Sequence, residues 1–220
     1  MKNKNIPFKI AIDGSSASGK TTGSKFISKK FKLKLLTSGK LYRFLALKIL
    51  KNNNKYNPQF INKVSKKITL NNLNSKKIFT QKVTELASSI AKIKYIRNSL
   101  KNFQLNFIKK NKRIIIEGRD IASKIMPKAD LKIFFKCSLN EKAKRRLNEY
   151  RKINKNIKLK DVQKALKSRD FLDKNRKESP LLFVKGAVLI DTTNLSKKKM
   201  EAKLFKLVNR RIINKINGNI

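Results

Sequence analysis

Gly14, Gly19, Lys20 and Thr21 stand at the spacing G-x-x-x-x-G-K-[ST], with Ser15, Ser16, Ala17 and Ser18 between the glycines. Small side chains let backbone N–H groups wrap a phosphate. A helix starting there aims its positive end at the same anion. Lys20 has the reach for β- and γ-phosphates, and the Thr21 hydroxyl can ligate Mg²⁺. The apolar run Ile10-Ala11-Ile12 and Asp13 precede the motif, and a helical pattern follows from Thr22. The competing account is a glycine-serine turn between a core strand and a core helix. The full motif in this context favours a nucleoside triphosphate site.

Three further constellations carry charge. In LLTSGKLYR, residues 35–43, Ser38 and Gly39 sit where strand becomes helix. Ligands gather at the carboxyl ends of an open parallel sheet, so Ser38 and Arg43 are expected to face the phosphate loop. The planar fork of Arg43 suits a second phosphate; taken alone, it reads equally well as a solvated helical arginine. In RIIIEGRD, residues 113–120, Glu117 and Asp120 bracket Gly118-Arg119. A carboxylate here can hold Mg²⁺ through water. Asp120 can instead accept from an exocyclic amine, and Arg119 can simply pair with an acid. In RDFLDKNR, residues 169–176, helical spacing puts Arg169, Asp173 and Arg176 on one face, the acid orienting two guanidinium forks. Such arginines neutralise charge in a phosphoryl-transfer transition state. Two phosphate zones and an arginine lid point to a kinase whose acceptor is itself a phosphate. A phosphomonoester has its second pKa at about 6 and is mostly dianionic at pH 7. It needs no general base, which fits a chain without histidine. Catalysis then reduces to alignment and charge neutralisation.

These residues need a frame. The chain has 220 residues, 40% hydrophobic, enough for one compact α/β domain with small lids. Five short apolar runs read as strands: Phe8–Ile12, Leu33–Leu36, Arg113–Glu117, Leu131–Cys137 and Ala187–Asp191. Helical periodicity fills the gaps: Phe26, Ile27 and Phe31; Leu41, Phe44, Leu45 and Ile49; one long helix from Val83 to Phe107; and Met200, Leu204, Val208 and Ile212. Ser138 with Glu141 makes a capping-box start for a helix through Ala143, Leu147 and Tyr150. Alternation of strand and helix predicts a parallel sheet covered on both faces. The expected organisation is core with phosphate loop over 1–50, an insert and long helix over 51–110, core over 111–150, a lid over 151–185, and core with a final helix over 186–220. Residues 51–80, rich in Asn and Lys, read as an inserted cap or mobile segment.

Lys and Arg number 57 against 13 acids, a net charge of +44 and a sequence pI near 10.7. One reading is a nucleic-acid binder. The other is background, since the excess is mostly Lys, spread over nearly every helix alongside Asn and Ile, all with AT-rich codons. There is no basic tail, zinc spacing or aromatic–glycine RNA motif, which favours background. Weak non-specific nucleic-acid attraction and a field drawing in anionic substrates would follow from it. No apolar run approaches the roughly 20 residues of a membrane helix, and the start, MKNKNIPFKI, lacks a signal-peptide core. The single Cys137 fits a packing role in a reducing cytoplasm.

In order, these motifs resemble the bacterial cytidylate kinase family of nucleoside-monophosphate kinases, over about Lys9 to Leu195. IDGSSASGKTT resembles the family's IDGPSGAGKGT, and SGKLYR its SGAIYR. FTQKVTELASSIAKIKYIR resembles R-T-x-x-V-x-x-x-A-S-x-V-A followed by an arginine, and EGRDIAS resembles DGRDIGT. RDFLDKNR followed by SPL resembles RDxxDxxR-x-x-x-PL, and DTTNLS matches the segment after the last strand. The resemblance implies a P-loop NTPase fold: a five-stranded parallel sheet flanked by helices, with a monophosphate-binding insert and a helical lid. It implies transfer of phosphate from ATP, with Mg²⁺, to CMP or dCMP. Gly14, Ser15, Ser16, Ala17, Ser18, Gly19, Lys20, Thr21 and Thr22 would hold ATP, and Thr21 the metal, with Glu117 through water. Ser38, Arg43, Arg119 and Arg176 would contact the acceptor, chiefly its phosphate. Ser88, Arg97 and Asp120 would read cytosine, and Arg169 and Asp173 would lie near the sugar. Lys20, Arg119, Arg169 and Arg176 form the expected catalytic set, in a monomer. Departures are Thr37 for a usual Asp, Phe79 for a usual Arg, Glu117 for Asp, Ala122-Ser123 for Gly-Thr, and Thr21 where many members carry Gly or Ser. The alternatives are a P-loop kinase for AMP, UMP or shikimate, and a GTPase or RNA-binding module. Against a GTPase, Asn62-Lys63 and Asn154-Lys155 lack the Asp two residues on.

Overall fold

The computed structural model describes residues 6–151 and 157–218. Residues 152–156 of the expected lid, with Asn154-Lys155, lie outside the described residues, as do the first five residues of the N-terminal stretch. The chain forms two compact units, one of Met1–Leu36 with Lys112–Ile220, the other of Thr37–Asn111.

The first unit is built on a five-stranded parallel sheet. Its strands β1 (Phe8–Gly14), β2 (Lys34–Thr37), β3 (Arg113–Gly118), β4 (Leu131–Lys136) and β5 (Ala187–Asp191) lie in the order β2-β3-β1-β4-β5. β1 is central and almost wholly buried, which is why it reads as a continuous apolar run rather than an alternation. Its register sets Asp13 beside Gly118 and Gly14 beside Phe135, so the phosphate loop leaves the sheet between β3 and β4. Gly14 has φ 150°, and a Cβ there would lie 2.4 Å from the Phe135 carbonyl oxygen; only glycine fits. Helices α1 (Lys20–Phe31) and α8 (Lys197–Ile216) bury Ile27, Met200, Leu204, Val208 and Ile212 in a core with Ile10, Ile12, Ile133 and Phe135. Helices α6 (Leu139–Arg151) and α7 (Leu159–Asn175) pack through a smaller cluster of Ala143, Leu147, Val162 and Leu166.

The second unit is helical. α2 (Ser38–Lys51) buries Leu41, Phe44, Leu45 and Ile49, the predicted periodic set. Residues 51–80 hold α3 (Pro58–Lys66) and two 3-10 turns, Asn72–Asn74 and Lys76–Phe79. Asn57 caps α3 by accepting from Phe60 N at 2.8 Å, with Pro58 in its first turn. The single long helix expected from Val83 to Phe107 is two, α4 (Gln81–Ile90) and α5 (Lys94–Lys110), with Ile93 extended between them. Arg97 Nη1 donates to the Ala91 carbonyl at 2.8 Å and satisfies an acceptor that the break exposes. Apolar spacing carries on across the break, so periodicity alone does not reveal it. Among the described residues, no helix is long and apolar enough to cross a membrane.

Candidate active site

The loop after β1 has the backbone of an anion nest. Ala17 (φ 56°) and Gly19 (φ 86°) adopt left-handed conformations, and α1 starts at Lys20. Lys20 Nζ donates to Ser15 O at 2.9 Å, and Ser18 Oγ to the same oxygen at 3.0 Å. Lys20 is buried, and that burial, with the charge of Arg119 beside it, pulls its pKa from 10.5 down to about 7. A bound phosphate supplies the anion that such an ammonium lacks.

Thr21 lies one residue on. Its Oγ1 donates to both oxygens of the buried Glu117, at 2.9 and 3.0 Å. A hydroxyl and a carboxylate meeting at the start of α1 fit a nucleotide-bound Mg²⁺, which keeps several waters and takes most of its other ligands from phosphates. Among the described residues there is no group of three His, Cys, Asp or Glu side chains that could hold a metal.

Asp13 is the brace behind the loop. Its carboxylate accepts from Ile121 N at 2.9 Å and Ala122 N at 2.7 Å. It thereby ties the end of β1 to the π turn Ile121–Ile125 after Arg119-Asp120. Burial outweighs those two hydrogen bonds and raises its pKa from 3.8 to about 6. Asp120 is buried at the start of that turn.

Arg119 Nε donates to Asp173 Oδ2 at 2.7 Å, and Arg176 Nη1 lies 3.6 Å from Asp173 Oδ1. The expected acid between two arginines therefore exists, and one of its partners, Arg119, comes from the residue that follows β3. α7 ends at Asn175, which carries Arg176 off the helical face, and Arg176 Nε donates to Ser179 O at 2.7 Å. Burial opposes ionisation of Asp173, but Arg119, then Arg169 and Arg176, outweigh it and hold the carboxyl below its usual range. Arg119 is likewise desolvated, and Asp173 keeps it charged.

The other predicted residues lie in the second unit. Ser38 is buried at the start of α2 and accepts from Gln104 Nε2 at 2.8 Å. The Arg43 guanidinium sits 5.0 Å from the centre of the Phe79 ring, and that of Arg97 5.7 Å from the centre of Tyr42. Phe79, the departure from the family's arginine, thus supports Arg43. Ser88 is half-buried on α4.

Several residues here escape a reading of the sequence alone. Thr192 Oγ1 donates to Ser18 O at 2.9 Å and is itself gripped by Arg145, whose Nη2 donates to Thr192 O at 2.7 Å. Lys142 Nζ pairs with Asp170 and lies 3.5 Å from Ser15 Oγ. Arg146 Nη2 reaches Ser16 Oγ at 3.4 Å. Lys142, Arg145 and Arg146 follow the predicted cap at Ser138, so three cations at spacings of three and four on one helix are a signal beside the apolar positions.

A phosphate loop at the centre of a parallel sheet, with a hydroxyl–carboxylate pair and clustered arginines, defines a P-loop phosphotransferase. Among solved structures the fold is similar to an uncharacterized protein from Eubacterium ventriosum (TM-score 0.57, 15% identity, covering 93% of this chain and 99% of that one). It is also similar to TT1252 from Thermus thermophilus (TM-score 0.51, 12% identity, 94% and 98% covered). In sequence the chain is 38% identical over 198 residues to a cytidylate kinase of Fusobacterium nucleatum, covering 85% of this chain and 90% of that protein. It is 36% identical over 217 residues to one of Thermotoga neapolitana, with 93% and 98% covered. The family model for cytidylate kinase matches residues 10–210. The chain belongs to the cytidylate kinase family.

Proposed function

We propose that this protein transfers the γ-phosphoryl group of ATP to CMP or dCMP, giving ADP and CDP or dCDP. One observation carries the reading: Lys20, the Thr21–Glu117 pair and the Arg119–Asp173–Arg176 cluster lie in one unit with the phosphate loop. Backbone N–H groups from Gly14 to Thr22 hold the triphosphate. Lys20 follows the charge that builds on the transferred group. Thr21, with Glu117 acting through water, would hold Mg²⁺, and the ion would supply charge neutralisation at the phosphate oxygens.

The acceptor is a phosphate dianion, so its oxygen attacks without a base, forming one P–O bond as the bond to the ADP oxygen breaks. Arg119 and Arg176 hold that dianion with Ser38 and Arg43, and Arg169 joins the two arginines in offsetting transition-state charge. Arg169 and Asp173 lie near the sugar. Ser88, Arg97 and Asp120 read the base, with the Asp120 carboxylate accepting from cytosine N4, a donor that uracil lacks. A polar pocket rejects the wrong base because its buried groups lose their partners. We expect a monomer working in the cytoplasm, with weak, salt-sensitive attraction to nucleic acid arising from its charge.

The test is a panel of CMP, dCMP, UMP, AMP and GMP with ATP and Mg²⁺. CMP and dCMP should exceed AMP and GMP in kcat/KM by orders of magnitude. Preferential turnover of AMP would overturn the proposal.

A further inference from the structure

Asp170, on α7, touches the phosphate loop. Its Oδ1 accepts from the backbone N–H of Ser16 at 3.4 Å, and its other oxygen pairs with Lys142 Nζ. Lys142 is 5% exposed, and besides Asp170 its ammonium approaches only Ser15 Oγ, at 3.5 Å, among the described residues. A lysine buried at a loop of phosphate-binding type needs an anion. In a chain with 13 acids against 57 basic residues, a carboxylate at that spot is not a product of composition.

We infer that Lys142 is a further triphosphate-binding residue and that Asp170 holds its place when no nucleotide is bound. The carboxylate oxygens of Asp170 take one loop N–H and one ammonium, the donors that a phosphate oxygen would take. Both residues belong to helices packed on each other, Lys142 on α6 and Asp170 on α7. An incoming triphosphate displaces Asp170 from Ser16 and inherits Lys142. The displacement frees the α7 segment that carries Arg169 and Asp173 to adjust around the substrate. The inference rests on the triphosphate site proposed above.

The roles predict opposite signs. Asp170→Asn removes the competing charge and leaves Lys142 without its anion, so the affinity for ATP and for inorganic tripolyphosphate should rise by about three- to tenfold. Lys142→Met should weaken both by tenfold or more, and Lys142→Arg should restore most of the loss. Calorimetric titration reads the affinities. Thermal unfolding guards against misfolding: tripolyphosphate should raise the melting temperature of Asp170→Asn by more than it raises that of the unaltered protein. If Asp170→Asn binds ATP more weakly, or if Lys142→Met binds it as well as the unaltered protein does, the inference is wrong. If the unaltered protein itself binds no ATP, the triphosphate site fails instead.

Discussion

The arginines of the two units have different neighbours. In the first unit the arginines beside the phosphate loop have carboxylate partners: Asp173 lies between Arg119 and Arg176, and Glu141 pairs with Arg145 at 3.0 Å. In Thr37–Asn111 the only acid is Glu85, which accepts from Gln81. There Arg43 rests on the Phe79 ring, and Arg97 on Tyr42 and the Ala91 carbonyl. A carboxylate fixes a guanidinium firmly and lowers its net field. An aromatic face orients it for about 0.5–1 kcal/mol at an exposed site and leaves its charge intact. The first arrangement suits groups that must stand in one geometry through a transition state. An aromatic face of the second kind adds orientation for an arginine that meets an anionic substrate.

That contrast can be broken by the way kcat and KM divide. Arg176→Ala should lower kcat by about 10²-fold or more, as removal of a preorganised charge does. Arg43→Ala should act mainly on the KM for CMP. If Arg176→Ala raises KM alone, the carboxylate-held cluster serves binding and the distinction disappears.

Asp13→Asn sharpens the same picture from the scaffold side. An amide presents one acceptor and a donor where Ile121 N and Ala122 N both need acceptors, so stability should fall by about 1–3 kcal/mol in denaturant unfolding. The pH dependence has a defined sign. Asp13 titrates at about 6 in the fold, against an unperturbed 3.8, so the folded state binds the extra proton between those values. The native protein should therefore gain stability relative to Asp13→Asn as pH falls from 6 towards 4, and that gain is lost as pH rises through 6. A flat difference over this window would contradict the assignment. The smallest effect belongs to Phe79→Ala. Loss of the ring under Arg43 should raise the KM for CMP by about two- to fivefold, the equivalent of about 0.5–1 kcal/mol, with kcat unchanged.

Much of the candidate site is legible in the sequence because its motifs are contiguous. The phosphate loop, Arg119-Asp120 and the Arg169–Arg176 run each carry their chemistry within a few residues, and apolar strands on either side locate them. The contacts that join distant segments are not legible in this way. Thr192 meets Ser18 across 174 positions, and Lys142 meets Asp170 only because Leu147 and Leu166 bring two helices together. The pairing of Asp173 with Arg119 depends on β3 ending beside β1, which spacing within α7 does not reveal. The break at Ala91–Ile93 escapes for a local reason, since Ile90, Ile93 and Ile96 keep apolar spacing through it while Arg97 takes over a carbonyl.

The central claim is that the phosphoryl group passes to a phosphate oxygen and not to water. Phosphorus NMR of the protein with ATP, Mg²⁺ and CMP tests it directly. We expect ADP and CDP to appear in equal amounts with no growth of the orthophosphate signal. Orthophosphate accumulating without CDP would contradict the account.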